Sequence, residues 1–400
     1  MKPAILFLEQ QGWRAGAQRV LEEVLDALGE DFSLHVTLPD DGPFADELRR
    51  RNIETLFYPL GHYRPGRKSV AEKLSFGVRS AVCGLKLARL VARREIRLIY
   101  INGPRCLPAG VLGARLAGTP SLFHLHRALS RKADLFVATR AAKYVTRIVA
   151  CSEAAAASLA GASRCLARTT QVIYNPVRQS TASGETDVKT LFHPKGSPVI
   201  GMVGRITVQK GQMALLRAAA LLRARWPHLE IVFVGAPEEA SRQDAAYLDR
   251  LKSAAVELGL ERNVTWAGYQ FDPGPFYPCF DVLAMPSLET EGLPMAALEA
   301  RAWRVPVVAS DWPGTAEVIG DGVNGLLVPP GDELALAAAL ERVLGDDALQ
   351  TRLKVGAEAS LDERFSPQRF RREIHAIVSH LVGSPSGARH AVEREVEARI

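Results

Sequence analysis

Along the chain, short apolar runs of strand type alternate with longer stretches in which apolar positions recur every three or four residues. In the first half the runs are Ala4–Leu8, Ser33–Leu38, Leu98–Ile101, Ser121–Leu125 and Ile148–Cys151, each followed by a helical pattern or a turn. After a stretch rich in Ser, Thr, Gly and Pro from Arg178 to Pro198, the runs resume at Val199–Val203, Glu230–Val234, Val264–Ala267, Val282–Met285, Pro306–Ala309 and Gly325–Val328. This alternation predicts parallel sheets flanked by helices, an α/β chain of two Rossmann-like domains. The expected bounds are a first domain over residues 1–180, a linker over 181–197 and a second domain over 198–366. A helix over 367–382 returns toward the first domain, and residues 383–400, beginning GSPSGARH without Ile-, Leu- or Val-rich periodicity, read as a polar, mobile tail. Such an arrangement is expected to bind ligands outside the carboxyl ends of the strands, in the cleft between its domains.

Composition narrows the class. The 400 residues are 47% hydrophobic and 24% charged, which fits a soluble globular chain. No uncharged apolar run approaches the roughly 18 residues of a membrane span. The opening MKPAILFLE is too short in its apolar part for a secretory signal and reads as a first buried strand, so a cytoplasmic location is expected. Cys83, Cys106, Cys151, Cys165 and Cys279 are odd in number, scattered and free of any C-x-x-C pair, which suggests reduced thiols rather than a disulfide framework or a zinc site.

Charge is uneven. Residues 1–180 carry 27 Lys and Arg against 15 Asp and Glu, and the stretch Arg64 to Arg97 alone has ten basic residues against two acidic ones. Within it Val70, Leu74, Val78, Val82 and Leu85 mark one apolar helical face. A basic amphipathic helix can dock on an anionic membrane surface; the same pattern also fits a crossover helix with a solvated basic face. No helix-turn-helix spacing, zinc finger or aromatic-studded RNA-binding strand is present, so nucleic acid is not an expected partner.

The chemistry concentrates in Pro286 to Ser310, PSLETEGLPMAALEARAWRVPVVAS. Pro294 suits a first helical position, where its missing N–H costs nothing, and this places Gly292 and Leu293 in the preceding turn with amides available to an anion. Glu291 then lies in the loop and Glu299 about two turns into the helix. A loop carboxylate can accept hydrogen bonds from sugar hydroxyls, and a helical one can reach a ribose diol. Acidic residues near a helix N-terminus also serve simply as dipole partners, and spacing alone leaves both readings open. Upstream, GRITVQKGQ sets Arg205 and Lys210 in a loop that follows a strand and enters a helix near Met213. In the first half, QQGWRAGAQRVLEEVLDAL places Gly12 and Gly16 in a loop running into an amphipathic helix, and in SLFHLHRAL His124 and His126 share a face at a strand end. Strand-end histidines are more often structural than catalytic, and Gly-rich turns occur in any Rossmann-like fold.

Together these segments resemble the retaining glycosyltransferases of the GT-B fold, family four. The resemblance rests on the E-x7-E block with its flanking PS, LEA and PVVAS, on G-R-x-x-x-x-K-G, on ACSEAAAASL and QVIYNPV with Ser152, Asn175 and Pro176, and on DWPGTAEVIGDGVNGLLVPPGD. It departs at Arg304, where the family has Gly, and at Ala15 and Gln18, which replace a Gly and a Glu in the family's first loop. The resemblance implies a nucleoside-diphosphate sugar as co-substrate, with no further cofactor, and a carbohydrate or lipid-linked hydroxyl acceptor in bacterial surface polysaccharide or glycolipid synthesis. Arg205 and Lys210 would then clamp the diphosphate, with Glu291 on the ring hydroxyls and Glu299 on the ribose. Gly292, Leu293, Gly314 and Thr315 would offer amides to the donor, Gly16 would approach it from the first loop, and His126 would contact its sugar. Base choice would rest on loops near Gly235 and Tyr269. Retention implies attack on the face that the diphosphate leaves, with the departing phosphate taking the acceptor proton. No D-x-D triplet occurs, so no catalytic metal is expected. A sugar-nucleotide epimerase using the same clamp, and a non-catalytic nucleotide-binding relative, are the alternatives.

Overall fold

The computed structural model describes residues 2–58, 60, 69–161, 163–178, 188, 197–238 and 241–383. Apart from Val188, Ser197 and Gly383, the expected linker and tail lie outside the described residues, as do Arg64, Arg67 and Lys68. The chain forms two compact units, one containing the residues up to Tyr174 together with the segment from Pro367 onward, the other Asn175–Ser366.

The first unit runs β1 (Ala4–Glu9), α1 (Gly16–Leu28), β2 (Ser33–Leu38), α2 (Pro43–Arg50), β3 (Glu54–Phe57), α3 (Val70–Arg93), β4 (Ile96–Asn102), α4 (Leu107–Ala117), β5 (Ser121–Leu125), α5 (Lys132–Ala142), β6 (Arg147–Ala150), α6 (Glu153–Ala160), α7 (Arg164–Thr169) and β7 (Thr170–Val172). Its seven strands pair in the order β3-β2-β1-β4-β5-β6-β7, all parallel. The strands expected from apolar runs are the central ones. The two absent from the sequence reading, ETLF and TQV, are the sheet's edges, where one missing neighbour leaves side chains half exposed and removes the apolar signature.

The second unit runs β8 (Val199–Val203), α8 (Gln212–Leu222), β9 (Glu230–Val234), α9 (Arg242–Glu257), β10 (Val264–Gly268), β11 (Val282–Met285), α10 (Met295–Ala302), β12 (Val307–Ser310), α11 (Pro313–Ala316), β13 (Gly325–Val328), α12 (Glu333–Gly345) and α13 (Asp347–Ala359). Six parallel strands pair as β10-β9-β8-β11-β12-β13. The last helix, α14 (Pro367–Gly383), packs in the first unit against α1, where Arg371 pairs with Glu23 and Asp26 and His375 with Asp31.

Helix α3 shows how local sequence decides packing. Ser69 caps it in a reciprocal box with Glu72. It lies against α4 through Ser80, Cys83, Gly84, Leu87 and Val91, and a Cβ added at Gly84 or at Gly113 of α4 would come within 2.8 Å of Leu112 or Leu87, respectively. Two glycines therefore set the close approach. The stripe Val70, Leu74, Val78, Val82 and Leu85 is not the packing face: these residues are 44–73% exposed. Among the described residues no helix is long and apolar enough to cross a membrane, and none of the five cysteines is in a disulfide.

Candidate active site

In the second unit the candidate residues gather at the carboxyl ends of β8 and β11. Beyond β8 the backbone passes so close to its neighbours that side chains are excluded at two points. A Cβ at Gly235 would lie 1.9 Å from the Gly204 carbonyl, and one at Gly211, where φ is +79°, 1.9 Å from that of Pro286. The short helical turn Val208–Lys210 is thereby seated on the loop after β11, and Leu288 N–H donates to the Gln209 carbonyl at 2.8 Å. Seating this turn brings together two residues 81 positions apart: Lys210 Nζ lies 2.6 Å from Glu291 Oε1. Ser287 Oγ donates to the same oxygen at 2.7 Å. Burial by itself would raise the Glu291 carboxyl; the charge and hydrogen bond of Lys210, the Ser287 hydroxyl and the charge of Arg205 outweigh it and hold the group below the ordinary carboxylate range.

Arg205 pairs with Glu238 at 3.0 Å and remains nearly half exposed, and its carbonyl accepts from Gln212 Nε2 at 2.8 Å, which fixes the loop. On the other side of Glu291, α11 begins against the turn. A Cβ at Gly314 would meet the Gly292 and Glu291 carbonyls at 2.2 and 2.4 Å, and Trp312 Nε1 donates to the Ser287 carbonyl at 2.8 Å. Leu293 is buried. Glu299 lies on α10 and accepts from the Tyr277 hydroxyl at 2.7 Å. One detail is corrected: α10 starts at Met295, and Pro294, with ψ of 104°, is its extended N-cap rather than its first helical residue.

Arg304 occupies a left-handed position, φ +57°, just past α10, with its N–H bonded to the Arg301 carbonyl and that of Val305 to Ala300. This is a Schellman ending, in which glycine is the unstrained residue. The Arg304 side chain turns out to solvent and pairs with Glu358 on α13. Arg301, which the sequence reading passed over, is 1% exposed and donates to the Val318 and Ser360 carbonyls, tying α10 to the segments after α11 and α13; burial pushes its guanidinium down to about 10.

In the first unit the strand ends of β1, β4 and β5 hold a second polar cluster. Glu9, 1% exposed, accepts at Oε1 from the backbone of Gln10 and Gln11 and from Gln18 Nε2, and at Oε2 from Asn102 Nδ2. Burial, opposed by these bonds, pushes its carboxyl up to about 7. Asn102 Oδ1 is 2.7 Å from His126 Nε2, and the His126 ring lies 3.9 Å from that of His124, which is bonded to the Tyr100 hydroxyl. Burial drives His126 down to about 3 and His124 well below the ordinary imidazole range. Glu9 and Asn102 were not anticipated; their only signal is a polar residue closing a mostly apolar strand, AILFLE and IRLIYIN. Gly16 is corrected from a loop residue to the first residue of α1. A Cβ at Gly12 would lie 3.1 and 3.3 Å from the Asp40 and Asp41 carbonyls, a tight approach of two backbone segments. Ser152 caps α6 by accepting from Ala155 N–H at 3.0 Å. Among the described residues no group of three or more His, Cys, Asp or Glu is placed to hold a metal ion.

Comparison with known families places the chain in one of them. The family described as glycosyl transferases group 1 matches residues 197–346, and Glycosyltransferase Family 4 matches residues 14–180. The chain belongs to the group 1, family 4 glycosyltransferases. This family member is 34% identical over 180 residues to the lipopolysaccharide core biosynthesis glycosyltransferase LpsE of Rhizobium meliloti, covering 45% of this chain and 49% of that one. It is 38% identical over 167 residues to a D-inositol 3-phosphate glycosyltransferase of Corynebacterium urealyticum, covering 40% and 38%. The chain thus spans about half or less of the length of these curated relatives. The crystal structure of Anabaena HepE in complex with UDP and glucose superposes with a TM-score of 0.80 at 25% identity, over 94% of this chain and 99% of that one, and gives this glycosyltransferase-family chain the GT-B fold. Within that fold Gln18 is a meaningful departure: its Oε1 accepts from Ala15 N–H and its Nε2 donates to Glu9, whereas a glutamate there would set a second carboxylate against the first.

Proposed function

We propose that this chain transfers a hexose-type sugar from a uridine diphosphate donor to a hydroxyl of a carbohydrate or lipid-linked acceptor, with retention at the anomeric carbon, in surface polysaccharide or glycolipid synthesis. The observation that carries the reading is the Lys210–Glu291 pair beside the Gly292–Gly314 turn. As the glycosidic bond breaks, negative charge develops on the β-phosphate. Lys210 and Arg205 are fixed cations for that charge, and turn amides near Gly292 and Gly314 add donors, so the barrier falls without a metal ion. Glu291, ionised and purely an acceptor, receives sugar hydroxyls, Glu299 receives the ribose diol, and the leaving phosphate takes the acceptor proton. The UDP and glucose named for HepE and the lipopolysaccharide role named for LpsE support the donor and the setting. Turnover of UDP-sugars in the presence of chelator, with the product's anomeric configuration read by NMR, tests the reading. An inverted product, or activity that returns only on adding magnesium or manganese, would sink it.

The exposed stripe of α3 favours peripheral docking on an anionic membrane as part of this function. At 100° per residue, Val70, Leu74, Val78, Val82 and Leu85 fall on one side of the helix, and Arg79, Lys86, Arg89 and Arg93 form a row beside them. An apolar stripe flanked by cations is what an interfacial helix presents to lipid headgroups.

A further inference from the structure

Glu9, Asn102 and His126 stand at the carboxyl ends of three neighbouring strands and are joined in that order by hydrogen bonds. The polarity of this chain of bonds is set at its far end. Ala15 N–H donates to Gln18 Oε1 at 3.0 Å, which leaves the Gln18 amide nitrogen to donate to Glu9 Oε1 at 2.9 Å, where Gln10 and Gln11 N–H also donate. Glu9 Oε2 accepts from Asn102 Nδ2, and this turns Asn102 Oδ1 toward His126. An amide oxygen only accepts, so His126 Nε2 carries the proton, and in the neutral ring that burial enforces Nδ1 is a bare acceptor. Nδ1 is buried and meets no hydrogen-bond partner among the described residues. A buried acceptor of this kind calls for a donor.

We propose that Glu9 and Asn102 are positioning residues that lock His126 in the Nε2–H tautomer, so that Nδ1 is an acceptor for a sugar hydroxyl that meets this strand-end cluster. The proposal rests on the transferase reading given above. Its converse is specific. A hydrogen-bond donor at Glu9 Oε2 turns the Asn102 amide over, its nitrogen then faces His126 Nε2, and the ring proton moves to Nδ1, where it opposes the sugar's hydroxyl. The other titratable or charged groups facing the cluster are Tyr100 and His124 from β4 and β5, and Arg105 and Cys106 before α4. Burial holds Tyr100 and Cys106 protonated and His124 neutral, so Glu9 is the group whose protonation reverses the chain.

The test is ¹⁵N NMR of the imidazole nitrogens in the full chain, above the Glu9 titration, with His126 assigned by difference from His126→Gln. The wild type is expected to show a protonated Nε2 and a bare Nδ1. Glu9→Gln, which puts an amide nitrogen where Oε2 was, is expected to invert that pattern and to lower kcat/KM for sugar transfer roughly 10–100-fold, by analogy with loss of a partner that orients a metal-bound histidine. Asn102→Asp keeps an acceptor facing Nε2 and should keep the wild-type tautomer. The acid limb of the wild-type rate profile, falling as pH drops through about 7, should be absent in Glu9→Gln. A wild-type ring protonated at Nδ1, a Glu9→Gln ring still protonated at Nε2, or an inverted ring with undiminished kcat/KM would each overturn the proposal. The tautomer is read without substrate, so the expected spectra in a chain that turns over no nucleoside-diphosphate sugar would refute the proposed transfer and leave the lock standing.

Discussion

Two carboxylates in this protein are moved in opposite directions, and the cause is the charge of their neighbours. Glu291 has Lys210 at 2.6 Å and is held low, whereas Glu9 has only neutral donors and is pushed up to about 7. On the proposed transfer, Lys210→Ala removes a cation aimed at the leaving group, so kcat should fall roughly 100-fold or more in a steady-state transfer assay of the folded variant. It also strips the part-buried Glu291 carboxylate of its ion-pair partner. Glu9 makes a stability statement. Its folded pKa lies above the unfolded value of 4.5, so its contribution is complete below about pH 4.5 and is lost as pH rises through about 7. His126 works the other way, with stability present above about 6.5 and lost as pH falls through about 3. Denaturant unfolding of wild type and Glu9→Gln across this range isolates the first effect. The wild type should lose roughly 3 kcal/mol relative to the variant between pH 4.5 and 8; a pH-independent difference would contradict it.

Among the elements, α10 and α3 each carry a feature whose consequence depends on packing. The left-handed residue that ends α10 is arginine, whose Cβ makes that conformation cost about 1 kcal/mol relative to glycine. The exposed Arg304–Glu358 pair offsets little of it. Arg304→Gly is therefore expected to stabilise the second unit by about 0.5–1 kcal/mol in chemical denaturation, and a destabilised variant would show that the ion pair outweighs the strain. For α3, the docking reading requires the exposed stripe and the basic row to act together. Co-sedimentation should capture the wild type on anionic but not neutral vesicles, with release at high salt. Leu74→Glu with Val78→Glu should abolish capture without loss of secondary structure, because both side chains are already exposed. Equal recovery in the supernatant with both vesicle types would instead mark the stripe as an ordinary solvated surface.

For the molecule as a whole, Arg205, Lys210, Glu291 and Glu299, the residues proposed to hold the donor's diphosphate, sugar and ribose, lie within one unit, Asn175–Ser366, whose core is its own. A ligand held by that unit's native state alone stabilises it by mass action, about 2.7 kcal/mol when free ligand exceeds its dissociation constant a hundredfold. UDP should accordingly raise the thermal transition of the second unit by roughly 5–10 °C, with Lys210→Ala blunting the shift. No shift with UDP, but one with another nucleoside diphosphate, would move the base assignment without moving the site.

The amino-acid sequence by itself determined the central strands of the first sheet and the six strands of the second, because each is a short apolar run, and it marked Arg205, Lys210, Glu291 and Glu299 as candidates, because they fall in short local patterns. Tertiary structure alone decided the rest. The edge strands β3 and β7 exist because a neighbouring strand recruits them, the exposed stripe of α3 arises because Gly84 and Gly113 turn a different face inward, and the Lys210–Glu291 contact forms because Gly211 permits a close backbone approach. The Glu9–Asn102–His126 chain spans 117 positions and depends on three strands lying side by side, with each hydrogen bond fixing the polarity of the next. No local pattern encodes that order, since hydrogen-bond direction passes through space and not along the backbone.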